Sequence, residues 1–337
     1  MDAQIAPAMG EVKEIPGAFR SKGLNCRAHL LRSGTVQHFP THIKSNLKDL
    51  TGLALFPFFR ITERCLSPAS FHAVLKPVFG TRAVFYAVFN RHKKPVLPAF
   101  LQMTQTRRIR TELRTAFYLN HVLDYFPERL TGIKWKGRCR FEGLGHLQAA
   151  RQNGRPVILA FFHFGPYFLL RSWLRVAGFP AGSYLVGKAA GHTRVRRFTN
   201  RFYPWPKIVF GQDQVEAADE FLKAGNLLLV ALDMPRGQQI NIPFGDGWTF
   251  QMAASAMHLA RTHQADLIPC CIVDEGDWNF QIRLGSSVPR ELLVLDSDLV
   301  RAGKHLIDEV TSVFHAHPHQ CHGNFSSCLK PDPSVMR

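Results

Sequence analysis

The sequence that decides the fold reads Val157-Ile158-Leu159-Ala160-Phe161-Phe162-His163-Phe164-Gly165-Pro166-Tyr167-Phe168-Leu169-Leu170. An apolar run ends at His163, a tight turn with Gly165 and Pro166 follows, and an apolar periodic stretch continues to Gly178. This order predicts a buried strand, a turn, and a helix with proline near its start and glycine after its end. Open α/β sheets bind ligands beyond the carboxyl ends of their strands, and histidine titrates near neutral pH. His163 is therefore a candidate general base.

From Ile133 onward, strand-like and helix-like stretches alternate along the chain. The predicted strands are Lys134–Phe141, Val157–Phe161, Ser183–Val186, Ile208–Phe210, Leu227–Leu232, Leu267–Val273 and Asn279–Leu284. The predicted helices are Gly145–Asn153, Tyr167–Ala177, Val195–Phe202, Gln214–Lys223, Phe250–Thr262 and Leu299–His315. This alternation predicts an α/β fold with a mostly parallel central sheet flanked by helices.

The pattern divides the chain into four parts. Residues 1–50 show little periodicity, so we expect a poorly ordered basic extension. Residues 51–130 have a helical pattern and are predicted to form N-terminal helices, most clearly over Thr106–Phe126. Residues 131–325 form the predicted α/β core, and residues 326–337 are predicted to be a tail.

The charge of the chain is strongly basic. Its 337 residues contain 42 Lys and Arg against 25 Asp and Glu, a formal charge of +17. Such a surface favours anionic partners, which include nucleic acid, anionic lipid and an acidic carrier protein. No Asp or Glu occurs between Gly143 and Gln212, the segment that contains His163, Lys188 and Arg194.

Several functional classes lack their sequence signals. We expect no secretory signal from the first residues of this sequence, and no apolar run approaches the ~20 residues of a membrane-spanning helix. Its seven cysteines show no paired CxxC spacing, which indicates a reduced, cytosolic protein. No GxGxxG, P-loop or G-x-S-x-G motif is present, which argues against a dehydrogenase, an NTPase and a serine hydrolase.

A second buried strand also ends in a charged residue. The run Leu227–Leu232 is followed by Asp233, then Met234 and Pro235. At the carboxyl end of a strand, Asp233 is a candidate partner for His163 on a neighbouring strand. The alternative is an aspartate that caps the turn before proline.

Five segments occur in an order that resembles a known family. They are Phe141–Leu147, the strand ending at His163, Leu232–Asp233 followed by Pro243–Gly245, the helix–strand stretch Phe250–Pro269, and His317–Gln320. Together they resemble the lysophospholipid acyltransferase superfamily, and within it the bacterial lipid A biosynthesis (late) acyltransferase branch. The resemblance covers roughly residues 65–322.

The resemblance implies a glycerolipid acyltransferase-like fold and a role in lipid biosynthesis. The expected reaction moves an acyl group from acyl-ACP or acyl-CoA, as co-substrate, to a hydroxyl or amine of a lipid or lipid-like acceptor. No resident cofactor, metal or nucleic-acid partner is expected. The implied partners are the acyl carrier protein or CoA thioester and an anionic membrane surface. The implied location is cytoplasmic and peripheral, on the cytosolic face of the inner membrane.

The resemblance also suggests roles for individual residues. His163 is the expected base, and the Gly165 N–H is a candidate donor to the thioester oxyanion. Phosphates of the donor or acceptor are expected to contact basic side chains, and the candidates are Lys188, Arg194, Arg197 and Arg236.

One position departs from the family pattern. The family has an acid after His and four further residues, and this chain has Phe168 there. Either another acid, such as Asp233 or Glu142, supplies that group, or His163 works without one, or the chain has lost activity. Three other interpretations stay open: a small soluble acceptor, an inactive homologue that acts as a scaffold, and a basic nucleic-acid-binding protein. The last is favoured by charge alone and lacks a recognisable pattern of interleaved aromatic residues.

Overall fold

The computed structural model describes residues 55–89, 99–102, 106–184, 209–210, 215–234, 237–245 and 247–332. The predicted extension, residues 1–50, and the predicted helix Val195–Phe202 lie outside these ranges. The N-terminal helices are α1 (residues 55–65), α2 (Pro68–Phe89), α3 (Ala99–Gln102) and α4 (Arg107–Val122). Thr106 caps α4, because its side chain accepts a hydrogen bond from the Ile109 N–H.

A buried glutamate joins α1 to the chain that enters the sheet. Glu63 accepts hydrogen bonds from Arg129 at 2.8 Å and from the Trp135 indole at 3.2 Å, and Lys134 pairs with the same carboxylate at 2.9 Å. Burial alone would raise the pKa of Glu63, but these donors bring it below its ordinary value. The predicted strand Lys134–Phe141 begins too early, because Ile133–Trp135 is a 3₁₀ turn and Gly137 adopts φ 78°.

The main sheet confirms the predicted fold class. Its strands are β1 (Cys139–Glu142), β2 (Val157–Phe161), β3 (Ala181–Tyr184), β4 (Val209–Phe210), β5 (Leu227–Ala231), β8 (Asp266–Gly276) and β9 (Asn279–Leu284). Among the described residues these form a seven-stranded sheet in the order β1-β9-β8-β2-β5-β3-β4. Every neighbouring pair is parallel except the hairpin β8–β9.

Helices cover both faces of this sheet. They are α5 (Leu144–Gln152), α6 (Leu170–Val176), α7 (Val215–Lys223), α8 (Ser255–His263) and α9 (Leu299–Ala316). Successive strand residues point to opposite faces, so the fully buried strands β2 and β5 feed two cores. Ile158 and Ala160 belong to the core that contains residues of α7, α8 and α9. Leu159 and Phe161 belong to the core that contains residues of α2, α4 and α6.

A second, smaller sheet was absent from the sequence prediction. Its strands are β6 (Gln239–Pro243), β7 (Trp248–Ala253) and β10 (Leu329–Pro331), in the antiparallel order β10-β7-β6. The predicted helix Phe250–Thr262 therefore starts five residues too early, since Phe250 and Met252 alternate into the core from β7. Because β10 pairs with β7, the chain up to residue 332 belongs to the fold rather than to the predicted tail 326–337. A last helix, α10 (Gly323–Cys328), leads into β10.

Within the described part of the chain, none of the helices has the length and apolar character needed to cross a bilayer.

Candidate active site

His163 and Asp233 form a doubly hydrogen-bonded pair. The His163 ring Nδ1 lies 2.6 Å from Asp233 Oδ1, and the His163 backbone N–H donates to Asp233 Oδ2 over 2.8 Å. The Asp233 side chain is fully buried, whereas 12% of the His163 side chain is exposed. The carboxylate thus holds both the ring and the backbone of His163 and leaves one edge of the ring open.

The register of two neighbouring strands produces this pair. In the parallel pair β2–β5, Phe161 lies opposite Ala231, and the Leu232 N–H donates to the Phe161 carbonyl at 2.8 Å. His163 and Asp233 each follow two residues later, so they leave the same edge of the sheet on the same face. That face is the one shared with α4 and α6.

The turn after His163 is fixed by a glycine. Gly165 has φ 52°, and a Cβ built on it would lie 2.1 Å from the Ile272 carbonyl oxygen on β8. Only glycine fits this left-handed position so close to another backbone. The Gly165 N–H donates to the Gln320 carbonyl over 2.9 Å. The predicted use of this N–H as an oxyanion donor is therefore incorrect for this structure, because the N–H is already engaged.

A segment from the far end of the chain holds the turn. We call residues Gln320–His322 the C-terminal clamp. The His322 N–H donates to the His163 carbonyl at 3.1 Å, and His322 Nε2 lies 2.7 Å from the Gly165 carbonyl. The Gln320 side chain accepts from the Asp274 N–H at 2.9 Å and donates to the Asp274 carbonyl at 2.8 Å. The clamp thus fastens the turn after β2 to the end of β8.

Helix α4 extends this network to the N-terminal helices. The Asn120 side chain donates to Asp274 Oδ2 over 2.7 Å. Burial raises the pKa of Asp274, and the hydrogen bonds from Asn120 and the Gly276 N–H oppose that rise. The helices before the sheet therefore contribute directly to the surroundings of the site.

Aromatic rings line the open side of His163. The Tyr167 ring meets the His163 ring edge to face, with centroids 4.3 Å apart, and it stacks on Phe161. Phe168, at the position where the resemblance implies an acid, lies flat against His121 of α4, with ring centroids 3.8 Å and planes 10° apart. The position that the resemblance assigns to a carboxylate is therefore part of an apolar wall.

Two polar groups in this wall have shifted pKa values. Burial raises the pKa of the Tyr167 phenol, and the carboxylates of Asp233 and Asp124 raise it further. Burial lowers the pKa of His322, whose ring also lies near that of His163. The phenol thus keeps its proton near neutral pH, and the neutral form of the His322 imidazole is favoured.

The structure distinguishes between the two acids proposed as partners of His163. Glu142 lies on β1, where it pairs with Arg283 at 2.8 Å and accepts from Gln281 at 2.9 Å. Glu142 therefore forms its contacts at the edge of the sheet, and Asp233 is the acid that contacts His163. The predicted phosphate-binding residues Lys188, Arg194, Arg197 and Arg236 lie outside the described residues.

Within the described ranges, His163 has no hydroxyl or thiol partner. Its hydrogen bonds from the ring and the backbone N–H both go to Asp233. The same part of the chain contains no cluster of His, Cys, Asp and Glu arranged to hold a metal ion. A cavity of about 390 Å³ lined by Trp135, Phe141 and Trp173 does not include His163 or Asp233 in its walls. Among the residues that the structure describes, His163 and Asp233 thus form a histidine–aspartate pair with no serine or cysteine nucleophile bonded to the ring.

Three contributors to the site were not identified from the sequence: His121, Gln320 and His322. Gln320 lies in the segment His317–Gln320 that carried part of the resemblance, so its position was signalled although its contacts were not. His322 lies two residues beyond that segment and gave no signal of a contact with the turn after His163. His121 gave no signal, since it lies in the last turn of an amphipathic helix.

No family model matches the chain, and no curated protein matches it at a significant level.

Proposed function

We propose that this protein is an acyltransferase in which His163 is the general base and Asp233 orients it. The observation that carries the proposal is that one buried carboxylate accepts hydrogen bonds from both the ring and the backbone N–H of His163. A buried acid that accepts from Nδ1 selects the tautomer with the lone pair on Nε2. It also stabilises the imidazolium that forms when Nε2 takes up a proton.

The open edge of the ring favours a nucleophile brought by the substrate. His163 has no serine or cysteine partner among the described residues, so a covalent acyl-enzyme on such a residue finds no support there. An acceptor hydroxyl or amine fits this arrangement, because a positioned imidazole can remove its proton as it attacks. The order of motifs that resembles the lysophospholipid acyltransferases supports the same chemistry with a thioester donor.

The reaction balances with His163 alone as the proton carrier. For a hydroxyl acceptor, Nε2 takes the hydroxyl proton while the oxygen attacks the thioester carbonyl carbon, which forms the new C–O bond and an oxyanion. The oxyanion then collapses, the C–S bond breaks, and the leaving thiolate takes the proton from Nε2. The products are the acylated acceptor and the free thiol of CoA or of the carrier protein.

The proposal extends to donor, acceptor and location. Acyl-ACP or acyl-CoA is the donor, and Lys188, Arg194, Arg197 and Arg236 are the proposed phosphate contacts. The acceptor is a lipid or lipid-like molecule on the cytosolic face of the inner membrane, where the charge of +17 favours an anionic surface. These parts rest on the sequence resemblance and on charge.

The test is acyl transfer measured by intact mass, with acyl-ACP and acyl-CoA thioesters of several chain lengths as donors. Lysate lipids and a pool of small soluble metabolites serve as separate acceptor sets. The informative variant is His163→Asn, because its amide can still donate to the buried Asp233. The matched control is His258→Asn at an exposed histidine of α8 that bonds Gln238.

Transfer by the wild type and by the control, lost in His163→Asn, supports the proposal, and the mass of the product identifies the acceptor class. Release of free fatty acid without an acylated product would replace the transferase by a thioesterase. Absence of turnover with every donor, or equal turnover by both histidine variants, would reject His163 as the base.

A further inference from the structure

The proposed reaction develops negative charge on the thioester carbonyl oxygen, and this charge needs a hydrogen-bond donor. The Gly165 N–H, which the sequence suggested for that task, donates to Gln320 instead. The neighbouring Phe164 N–H is also engaged, with the Phe162 carbonyl at 2.7 Å. The donor must therefore come from another group that borders the open edge of His163.

Tyr167 borders the His163 ring directly. Its ring centroid lies 4.3 Å from that of His163, and the two planes meet at 68°. The ring is held by Phe161, which stacks on it at 6.1 Å, and by His322, whose ring meets it edge to face at 5.4 Å. A ring packed on three sides fixes the direction of its hydroxyl, which is what a preorganised donor needs.

The Tyr167 hydroxyl is also not committed to another group in the part of the chain that the structure describes. It makes no hydrogen bond to any described residue, and it is not among the buried polar atoms that lack a partner. Tyr167 as a residue is only partly buried. Burial of the ring and the nearby carboxylates of Asp233 and Asp124 raise the pKa of this phenol, so the O–H stays protonated near neutral pH.

We propose that the Tyr167 hydroxyl donates a hydrogen bond to the thioester carbonyl oxygen as that oxygen becomes an oxyanion. The inference rests on the proposed function and adds a second catalytic residue to it. No proton is transferred by Tyr167: the O–H bond stays intact, and the hydrogen bond strengthens as charge develops and weakens when the thiolate leaves. In this proposal a side-chain hydroxyl, rather than a backbone N–H of the turn at Gly165, donates the hydrogen bond to the oxyanion.

The test compares Tyr167→Phe with wild type in the acyl-transfer assay. The variant keeps the ring and its contacts with Phe161, His163 and His322 and loses only the hydroxyl. We expect kcat to fall by about 10²–10³-fold with little change in KM, because the lost bond forms mainly in the transition state. The matched control is Tyr118→Phe, whose ring contacts Phe79 and Phe117 rather than His163. The control should keep the wild-type kcat.

A second measurement separates a donor from a packing residue. Incorporation of 3-fluorotyrosine at position 167 lowers the pKa of the phenol without changing its shape. If the hydroxyl must be protonated, the alkaline loss of kcat should begin at a lower pH than in the wild type. A merely structural tyrosine would leave the pH profile unchanged.

The outcomes separate this inference from the proposed function. A Tyr167→Phe variant with wild-type kcat, beside an inactive His163→Asn variant, rejects the oxyanion role and leaves the acyltransferase standing. Loss of activity that Tyr118→Phe shares, or that follows a fall in melting temperature, also rejects it. Absence of acyl transfer by the wild type rejects both.

Discussion

The ring of His121 lies flat on the ring of Phe168, with centroids 3.8 Å apart and planes 10° apart. Phe117 covers the Phe168 ring from the side at 5.8 Å. At the position where the family resemblance places an acid, the side chain therefore packs on rings of helix α4. These rings lie more than forty residues earlier in the chain. The carboxylate that serves His163 comes instead from the neighbouring strand, as Asp233.

Phe168→Glu should not improve catalysis. The Nδ1 of His163 already bonds Asp233, and a glutamate at position 168 would lose the stack on His121 and bring a charge into an aromatic wall. We expect unchanged or lower kcat and a free energy of unfolding lower by about 1–3 kcal/mol. Urea denaturation and steady-state rates measure both. A rise in kcat, or rescue of Asp233→Asn by Phe168→Glu, would show that an acid at position 168 can serve His163 and would contradict this prediction.

Asp233→Asn should lower kcat by about 10³–10⁴-fold, the range seen when the orienting acid of a catalytic histidine is lost. Both hydrogen bonds that Asp233 accepts come from His163, and an amide offers one acceptor oxygen where the carboxylate offers two. The measurement is steady-state acyl transfer. The matched control, Glu142→Gln on β1, should keep the wild-type rate. Similar rates for the two variants would remove Asp233 from the mechanism.

Gly165→Ala should destabilise the protein far more than the same replacement of Gly154, which has a similar φ. Its Cβ would meet the Ile272 carbonyl at 2.1 Å, whereas a Cβ on Gly154, with φ 66°, meets nothing within 4 Å. We expect losses of about 3 kcal/mol or more at Gly165 and about 1 kcal/mol at Gly154. Equilibrium unfolding in urea measures both. Equal losses would mean that the turn can move away from β8.

Gln320→Glu should impair catalysis through the C-terminal clamp. A glutamate can accept from the Asp274 N–H, but it cannot donate to the Asp274 carbonyl 2.8 Å away. We expect kcat to fall about 10- to 100-fold, because small displacements of a catalytic group have effects of this size. The His163 Nδ1 proton resonance, followed by NMR, should shift as the turn moves. An unchanged resonance together with wild-type kcat would show that the clamp does not position His163.

His322 should make the folded state less stable in mild acid. Its pKa is lowered by burial, so the folded state binds fewer protons than the unfolded state below the ordinary histidine pKa of 6.5. Its contribution is therefore complete above pH 6.5 and is lost as the pH falls through the folded pKa. In His322→Gln, the free energy of unfolding should fall less steeply from neutral to acid pH, by at most about 1.4 kcal/mol per pH unit.

His322→Gln keeps a side-chain donor for the Gly165 carbonyl, so the comparison isolates the titration from the loss of a hydrogen bond. Chemical denaturation at a series of pH values gives both slopes. Burial also lowers the pKa values of His72 and His319, which stay in both proteins, so the variant should retain part of the acid sensitivity. Identical slopes would contradict a titrating role for His322.

The sequence by itself determined the central sheet and the edge at which His163 and Asp233 lie. Strands β2 and β5 are continuous apolar runs that end at polar residues. Because both faces of such a strand are buried, the sequence of the strand alone is enough to predict it. The residues that follow these strands, His163 and Asp233, were predicted to lie together, since parallel strands present their carboxyl ends at one edge of the sheet. The small sheet was missed, because β7 carries a short apolar pattern that continues into a helix and is ambiguous in period.

Only the tertiary structure decided what surrounds the pair. The register of β2 against β5 places Asp233, rather than Glu142, beside His163. The clamp accepts a hydrogen bond from the Gly165 N–H, which the sequence analysis had proposed as an oxyanion donor. Gln320 and His322 come from more than 150 residues after His163, and His121 comes from a helix before the sheet. Local periodicity determines which residues are buried in a strand or helix. Contacts between segments this far apart depend on how those elements pack against one another, and a local sequence pattern does not predict that packing.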